Sequence, residues 1–510
     1  MVASMPAHGH GERLSAVDAS FLQLESAHAH MHVAWSAVFA PPADAAAPTI
    51  EQIRARVTAR LSWVPRCRQR LLPAPLGIGE PRWVDDDRFD VAAHVVALTG
   101  PSDPVDPQRF ADLRDGLLSQ PLDRARPLWQ LAFVPLLADG RIGVIGRVHH
   151  AMADGAAALQ IALLTLDIEG HDDAGAPAPW HAEAPPTTLQ RALDPLVHSA
   201  ELCSGAARDV AHAVTHPRAT ATDALRDAGR LVSALSQDLL PHAPASGLNR
   251  PLGPRRTLVQ HQVALDDVRE VSRGAPGTRN DVGLAAIAGA LRALALERGR
   301  PAEPLKAMVP VNMRGRNDAA TLGNRVSVTS VWLPLDLASP AARLHRVRAQ
   351  TARFQDSERP QGAQTLISGF GLLPSALRAP VLRAVQPGRF NLTISSVPGP
   401  PSALFMHGAR LDELYPVIPI AEDQTLSIGM LPYEGHLYFG LYADPDGLPE
   451  ATRLAELIDE ELRALRRSAS LRAIDAPPPL PVVAPVAAGP LGTYENRSAV
   501  LSAAGRGGAV

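Results

Sequence analysis

Lysine is all but missing from this chain. Lys306 is the only one, and the rest of the 49 basic residues are arginines. Against 52 acidic residues the net charge is −3, so no bulk basic field invites a nucleic acid. The arginine bias, beside abundant Ala, Pro and Gly, reads as the base composition of a GC-rich gene rather than a physical signature. Cysteine is nearly as scarce. Cys67 and Cys203 stand far apart without metal or redox spacing, which suits a reducing cytoplasm. No Gly-x-Ser-x-Gly turn offers a serine nucleophile. Residues 1–12 have no apolar signal region and read as a mobile lead. No apolar run is long enough to span a bilayer, and the longest, 156–168, is interrupted by Gln160 and Thr165. What remains is a chain of 510 residues with room for two sizeable cores. Its expected place is the cytoplasm, with only peripheral contact to a membrane or lipid droplet.

What is present is organised around Gly143-Val-Ile-Gly-Arg-Val-His149-His150-Ala-Met-Ala-Asp154-Gly155. The run 141–148 is short, glycine-interrupted and rich in Val and Ile, which suits a buried strand. Asp154 is placed to cap a helix over 156–168, and Gly155 permits close backbone approach. The histidines then sit at a strand end beside a rigid turn. A general base needs that placement: an imidazole titrating near neutral pH, held still and within reach of a substrate hydroxyl. On spacing alone, two adjacent histidines also read as ordinary core or surface residues, and Asp-Gly as a common turn.

The other elements are read from their ends. Ser15-Ala-Val-Asp18 starts a helix carrying Phe21, Leu22 and Leu24. Thr49-Ile-Glu-Gln52 is a capping box with Ile50, Ile53, Val57 and Leu61 striping one face. Asp106-Pro107 opens a helix bearing Phe110, Leu113 and Leu117. Pro127-Leu128-Trp129 leads a strand to Leu137, turned by Asp139-Gly140. If His28, His30 and His32 begin a strand they share one face, but no carboxylate or cysteine completes a metal site. Arg66, Arg68 and Arg70 read as a solvated strand face, with coenzyme phosphates as the alternative partner. Residues 169–185 form a linker, and 189–240 a weakly amphipathic helical crossover. A strand over 257–265, a helix over 284–296 capped by Asn280 or Asp281, a hairpin over 424–443 and a helix over 449–465 complete the second half. Beyond 468 the composition predicts disorder. These elements alone support a two-domain α/β chain with a crossover.

The string His149-His150-x-x-x-Asp154-Gly155 resembles the active-site motif of the CoA-dependent acyltransferase superfamily. Within it, the start Leu14-Ser-Ala-Val-Asp18-Ala-Ser-Phe21-Leu-Gln-Leu-Glu25, the Pro-Leu-Trp ending at Trp129 and Asn280-Asp281 are similar to the bacterial wax ester synthase/diacylglycerol acyltransferases. So are Asn312-Met-Arg314-Gly315, Gly323-Asn324-Arg325 and Phe390-Asn391-Leu-Thr-Ile-Ser395-Ser396. Ser396 departs from the asparagine usual there.

The resemblance covers 13–467 and implies two chloramphenicol-acetyltransferase-like domains, each a mixed sheet with helices, with a channel between them and His150 near its middle. The division would be 13–185, a crossover over 186–255, and 256–467. The implied reaction moves a long-chain acyl group from acyl-CoA to diacylglycerol, or to a long-chain alcohol to give a wax ester, without metal or resident cofactor. His150 would be the base, His149 its support and Asn280 an oxyanion donor. Asp154, partnered by an arginine such as Arg314, would hold the loop with Gly155, Trp129 and Asp281. Asn312, Asn324, Asn391, Ser395 and Ser396 would line the substrate. The competing readings are a carrier-protein-dependent acyltransferase, such as a condensation domain, and a non-catalytic lipid-droplet protein.

Overall fold

Local signals decide where the helices begin. The computed structural model describes residues 11–42, 47–75, 79–152, 161–162, 164–168, 179–191, 193, 242–274, 277–312, 326–355 and 388–470, with single positions at 215, 378 and 380. Helix α1 (Ala16–Leu24) starts where the Ser15 hydroxyl accepts the Asp18 N–H at 3.0 Å. Strand β1 (His32–Ala40) follows, and then α2 (Ile50–Arg60), closed by the Thr49/Gln52 capping box. Next come β2 (Gln69–Leu72), β3 (Arg82–Asp85), α3 (Val91–His94) and β4 (Val95–Ala97). Helix α4 (Pro107–Leu118) is capped by Asp106, and β5 (Trp129–Val134) and β6 (Ile142–His149) end the first half. The second half holds β7 (Thr257–Ala264), α5 (Leu265–Gly274), α6 (Arg279–Glu297), β8 (Leu305–Asn312), β9 (Val326–Leu333) and α7 (Pro340–Gln355). It closes with β10 (Leu392–Ser396), β11 (Phe405–Met406), β12 (Ala409–Val417), β13 (Leu426–Tyr433), β14 (His436–Ala443) and α8 (Ala451–Ser470).

Two six-stranded sheets result, ordered β11-β12-β1-β6-β5-β4 and β7-β14-β13-β10-β8-β9. Both carry helices, so the α/β class with two sheet-and-helix layers holds. The first sheet is not built from the first half alone. Residues 405–417 cross to it, and β12 runs antiparallel to β1 from Ala34↔Val417 to Ala40↔Arg410. Leu411 and Leu414 then sink into the first core beside Phe39 and Val57. In the second half α6 is buried along most of its length, and α8 packs with it through Leu454, Ile458 and Leu462 over β13 and β14.

Three local expectations are corrected. Arg66 and Arg68 are not a solvated strand face; they lie buried in a 3-10 turn. Arg66 stacks on Trp83 and bonds Glu12 at 2.6 Å, and Arg68 lies over Trp180. The cation–aromatic contacts make that burial tolerable. Gly11 and Glu12, expected in the mobile lead, are held by backbone hydrogen bonds with Trp83 at 2.9 Å. The cap of α6 is Thr278, with Asp281 returning the bond as third residue, so Asn280 is not the cap.

Candidate active site

Strand β6 fixes two histidines in different environments. Its residues alternate between sheet faces: a Cβ on Gly143 would strike Phe110 at 2.5 Å, and one on Gly146 would strike the Trp35 ring at 2.1 Å. Each glycine is therefore a slot for an aromatic ring from a different face. His149, in phase with Gly143, ends the strand fully buried at 1% exposure. His150 is the first residue beyond it and is half-buried.

His150 is held at both ends of its residue. Its N–H donates to the Met31 carbonyl at 2.7 Å, just before β1. Its imidazole stacks on the Phe21 ring, centroids 3.8 Å apart and planes 4° from parallel. The backbone bond fixes the chain and the ring contact restrains the side chain, leaving a rigid yet reachable imidazole.

His149 belongs to a polar layer beneath. The Ala151 N–H donates to its Nδ1 at 3.0 Å, which puts the neutral ring's proton on Nε2. Nε2 lies 3.7 Å from Glu25, close enough for attraction but too long for a hydrogen bond. His32, register partner of His149 on β1, sits 4.0 Å from the same carboxylate, and its Nε2 accepts the Leu122 N–H at 3.3 Å. His30 stacks near His32 and bonds the Ser119 carbonyl at 3.1 Å. Burial holds His149, His32 and His30 below the ordinary imidazole range; Glu25 opposes this at His149, and His149 and Arg147 add to it at His32. Burial alone would raise Glu25, but His149 and Arg124 outweigh it and draw its carboxyl below the usual value. Arg124 donates to Glu25 at 2.8 Å and to the Leu22 carbonyl at 2.9 Å. Arg147, brought down to about 10 by burial, ties Gln130 to the carbonyls of Leu117 and Gln120 under this layer.

Trp129 supports the strand end. Its Nε1 donates to the Cys67 carbonyl at 2.8 Å, His94 stacks on its ring, and it pairs with Val148. The second-half residues divide. Asp281 is spent on α6: it accepts the Thr278 N–H at 2.7 Å and the Thr351 hydroxyl at 2.6 Å. Asn280, in the first turn, takes no part in the capping, and its Oδ1 is buried without a hydrogen-bond partner among the described residues. Asn391 is fully buried with both amide atoms engaged. Oδ1 accepts the Lys306 N–H at 2.8 Å, while Nδ2 reaches the Pro244 carbonyl and Asn249 Oδ1 at 2.8 and 2.7 Å. That amide holds β8 to the 244–249 segment and presents nothing outward. Ser395 is half-buried and Ser396 exposed at the end of β10. Asn312 ends β8, its side chain lying outside the described residues, as do Asp154, Gly155, Arg314 and Asn324. A cavity of about 60 Å³ lies between the first sheet and the 397–404 segment, lined by Trp35, Val397, Pro398, Leu404, Leu414 and Leu431 among other apolar groups. Among the described residues no three metal-ligating side chains cluster.

Phe21 and Glu25 were named from sequence only within the N-terminal helix and motif, and Arg124 not at all, so none of them was read as a site residue. The signal was present, since Phe21 and Glu25 are four apart and share one helix face.

Comparison with known proteins shows the family to which the chain belongs. Residues 14–283 match the wax ester synthase/diacylglycerol acyltransferase catalytic domain, and 322–466 match the C-terminal domain of the same family. The chain is 33% identical to the probable diacylglycerol O-acyltransferase tgs1 of Mycobacterium tuberculosis, over 89% of this chain and 95% of that one. It is also 33% identical to tgs2 of that organism, over 89% and 98%. Among solved structures, the wax ester synthase/diacylglycerol acyltransferase of Marinobacter aquaeolei superposes with a TM-score of 0.62 at 24% identity, covering 90% of this chain and all of that one. The first condensation domain of the CDA synthetase superposes at 0.57 and 18% identity, covering 90% and 96%. The paired histidines at the end of β6 thus lie within the matched catalytic domain, and the chain belongs to the wax ester synthase/diacylglycerol acyltransferase family.

Proposed function

We propose that this enzyme moves a long-chain acyl group from acyl-CoA to the hydroxyl of diacylglycerol, with long-chain alcohols as a second acceptor. The observation that carries the reading is the contrast between the two histidines. His150 is rigid and reachable at the strand end, while His149 is sealed below it. The names of the relatives, diacylglycerol O-acyltransferases matched over most of their length, supply the substrates. His150 takes the acceptor's hydroxyl proton as that oxygen attacks the thioester carbonyl. The C–S bond then breaks, and the imidazolium returns its proton to the departing sulfur. No acyl-enzyme is needed. Asn280, through its Nδ2, and the first amides of α6 are assigned to the oxyanion, because Thr278 and Asp281 already form the cap without the Asn280 side chain. Ser395 and Ser396 are assigned to the substrate side, and Asp154 with Arg314 to holding the loop. The apolar cavity beside Trp35 suits part of an acyl chain.

The acceptor would come from a membrane or droplet surface. No helix among the described residues is long and apolar enough to cross a bilayer. Docking is assigned to the crossover, whose described start exposes Leu189 at 70% and Leu193 at 46%. Leu231 and Leu235, also expected there, lie outside the described residues. The experiment offers labelled palmitoyl-CoA with diacylglycerol and hexadecanol in competition, to the native enzyme and to His150→Ala. Losing a general base costs about 100- to 10,000-fold. A folded His150→Ala variant with native turnover would overturn the assignment, and an enzyme inert toward both acceptors would favour the lipid-binding alternative.

A further inference from the structure

Helix α1 touches both histidines. Its Phe21 ring covers the His150 imidazole, and Glu25, one turn on, stands by His149. We propose that Phe21 is a positioning residue whose π face stabilises the imidazolium that His150 becomes during acyl transfer. This rests on His150 being the base. As the acceptor O–H bond breaks and the new O–C bond forms, the proton passes to the imidazole nitrogen and the ring gains a positive charge. As the C–S bond breaks, its electron pair leaves with sulfur, the proton follows, and the ring is neutral again. The charge therefore exists only between these two transfers.

An aromatic face attracts a cation placed over it, within about 6 Å of its centroid. Phe21 lies at 3.8 Å and nearly parallel, so the ring is already placed before any charge forms. The neutral imidazole gains much less from the same contact. The interaction thus favours the transition state over the resting enzyme, which is the condition for raising the rate. Among the other groups described around α1, the Glu25 carboxylate stands by His149 and His32 and is bonded to Arg124.

Simple packing is the competing explanation, since Phe21 also packs against the apolar clusters on either side. Ring fluorination separates the two, because it withdraws π-electron density while nearly preserving shape. The native enzyme would be compared with variants carrying mono-, di- and trifluorophenylalanine at position 21, and with Phe21→Tyr and Phe21→Leu. The measurement is the single-turnover rate of acyl transfer from palmitoyl-CoA, with KM and melting temperature beside it. The rate should fall stepwise with fluorination at constant KM and melting temperature. Phe21→Tyr should stay near native, and Phe21→Leu should lose about 5- to 30-fold. A flat fluorine series beside an inactive His150→Ala enzyme would overturn the role of Phe21 and spare the base. An active His150→Ala enzyme would overturn both.

Discussion

Asn391 offers a direct way to tell a residue that binds substrate from one that builds the fold. Replacing it with alanine strips three groups of their partner: the Lys306 N–H, the Pro244 carbonyl and Asn249 Oδ1. Each buried group left unpaired costs about 1–3 kcal/mol. Partial relaxation of the 244–249 segment recovers some of this, so a net loss of about 3 kcal/mol is expected. Unfolding entropy is about 2 cal/mol/K per residue, so in a cooperative unit of this size each kcal/mol is worth roughly 1 °C. The melting temperature should therefore drop by about 3 °C. Asn391→Asp should fare no better. It keeps an acceptor for Lys306 but sets a carboxylate against a carbonyl oxygen. The assay is a thermal melt followed by circular dichroism, paired with KM for palmitoyl-CoA and for diacylglycerol at a temperature where every variant is folded. KM should stay within a factor of two of native, roughly the effect of a few tenths of a kcal/mol. A rise in either KM with an unchanged melting temperature would refute the structural assignment and return Asn391 to the substrate.

Two further outcomes are expected. The buried His30, His32 and His149 are held below their ordinary 6.5, so the fold binds fewer protons than the unfolded chain just under that pH. Their contribution is complete above about pH 6.5 and is lost as the pH falls through the depressed folded values; Glu25, also depressed, adds its loss only below its ordinary 4.5. Melting temperature should decline from pH 7 to 5.5, less steeply in His32→Gln, and a flat profile in the native enzyme would show that these rings are not kept neutral by the fold. Liposome flotation should show binding that survives moderate salt and weakens in Leu189→Asp/Leu193→Asp; binding abolished by salt alone would point to arginines instead.

The parts of this molecule that were legible in the sequence are those fixed by near neighbours. Ser15, Thr49 and Asp106 start their helices because a cap needs only the next three residues. Strand β6 and the turn at Gly140 are equally local. The crossing of 405–417 into the first sheet was not legible, because nothing within β12 names β1 as its partner. Burial of Arg66 and Arg68 escaped for the same reason: Trp83 and Trp180 are distant in the chain. At the site, the adjacent histidines and the Pro-Leu-Trp strand could be read directly. Asn391 could not, since an amide that stitches two segments and an amide that binds a ligand look alike in sequence.

The doubled histidine follows from the geometry of a strand. Side chains alternate across a sheet, so two neighbours at its end cannot serve the same environment. One of them must go inward, and the fold has to keep that ring neutral and satisfied. For His149, burial keeps the ring neutral and the Ala151 N–H satisfies Nδ1, while the Glu25 carboxylate 3.7 Å from Nε2 pulls the other way. The other ring, that of His150, stands just past the strand, where a residue has lost the ladder that would hold it. The Met31 carbonyl replaces the ladder for its backbone, and Phe21 restrains its ring. Phe21 lies on α1 and Glu25, four residues on, is its C-cap, so the inner and outer histidines are both set by one helix and its end. A shift of α1 would disturb both rings at once. The N-terminal segment is therefore part of the candidate active site, although it precedes the paired histidines by more than a hundred residues.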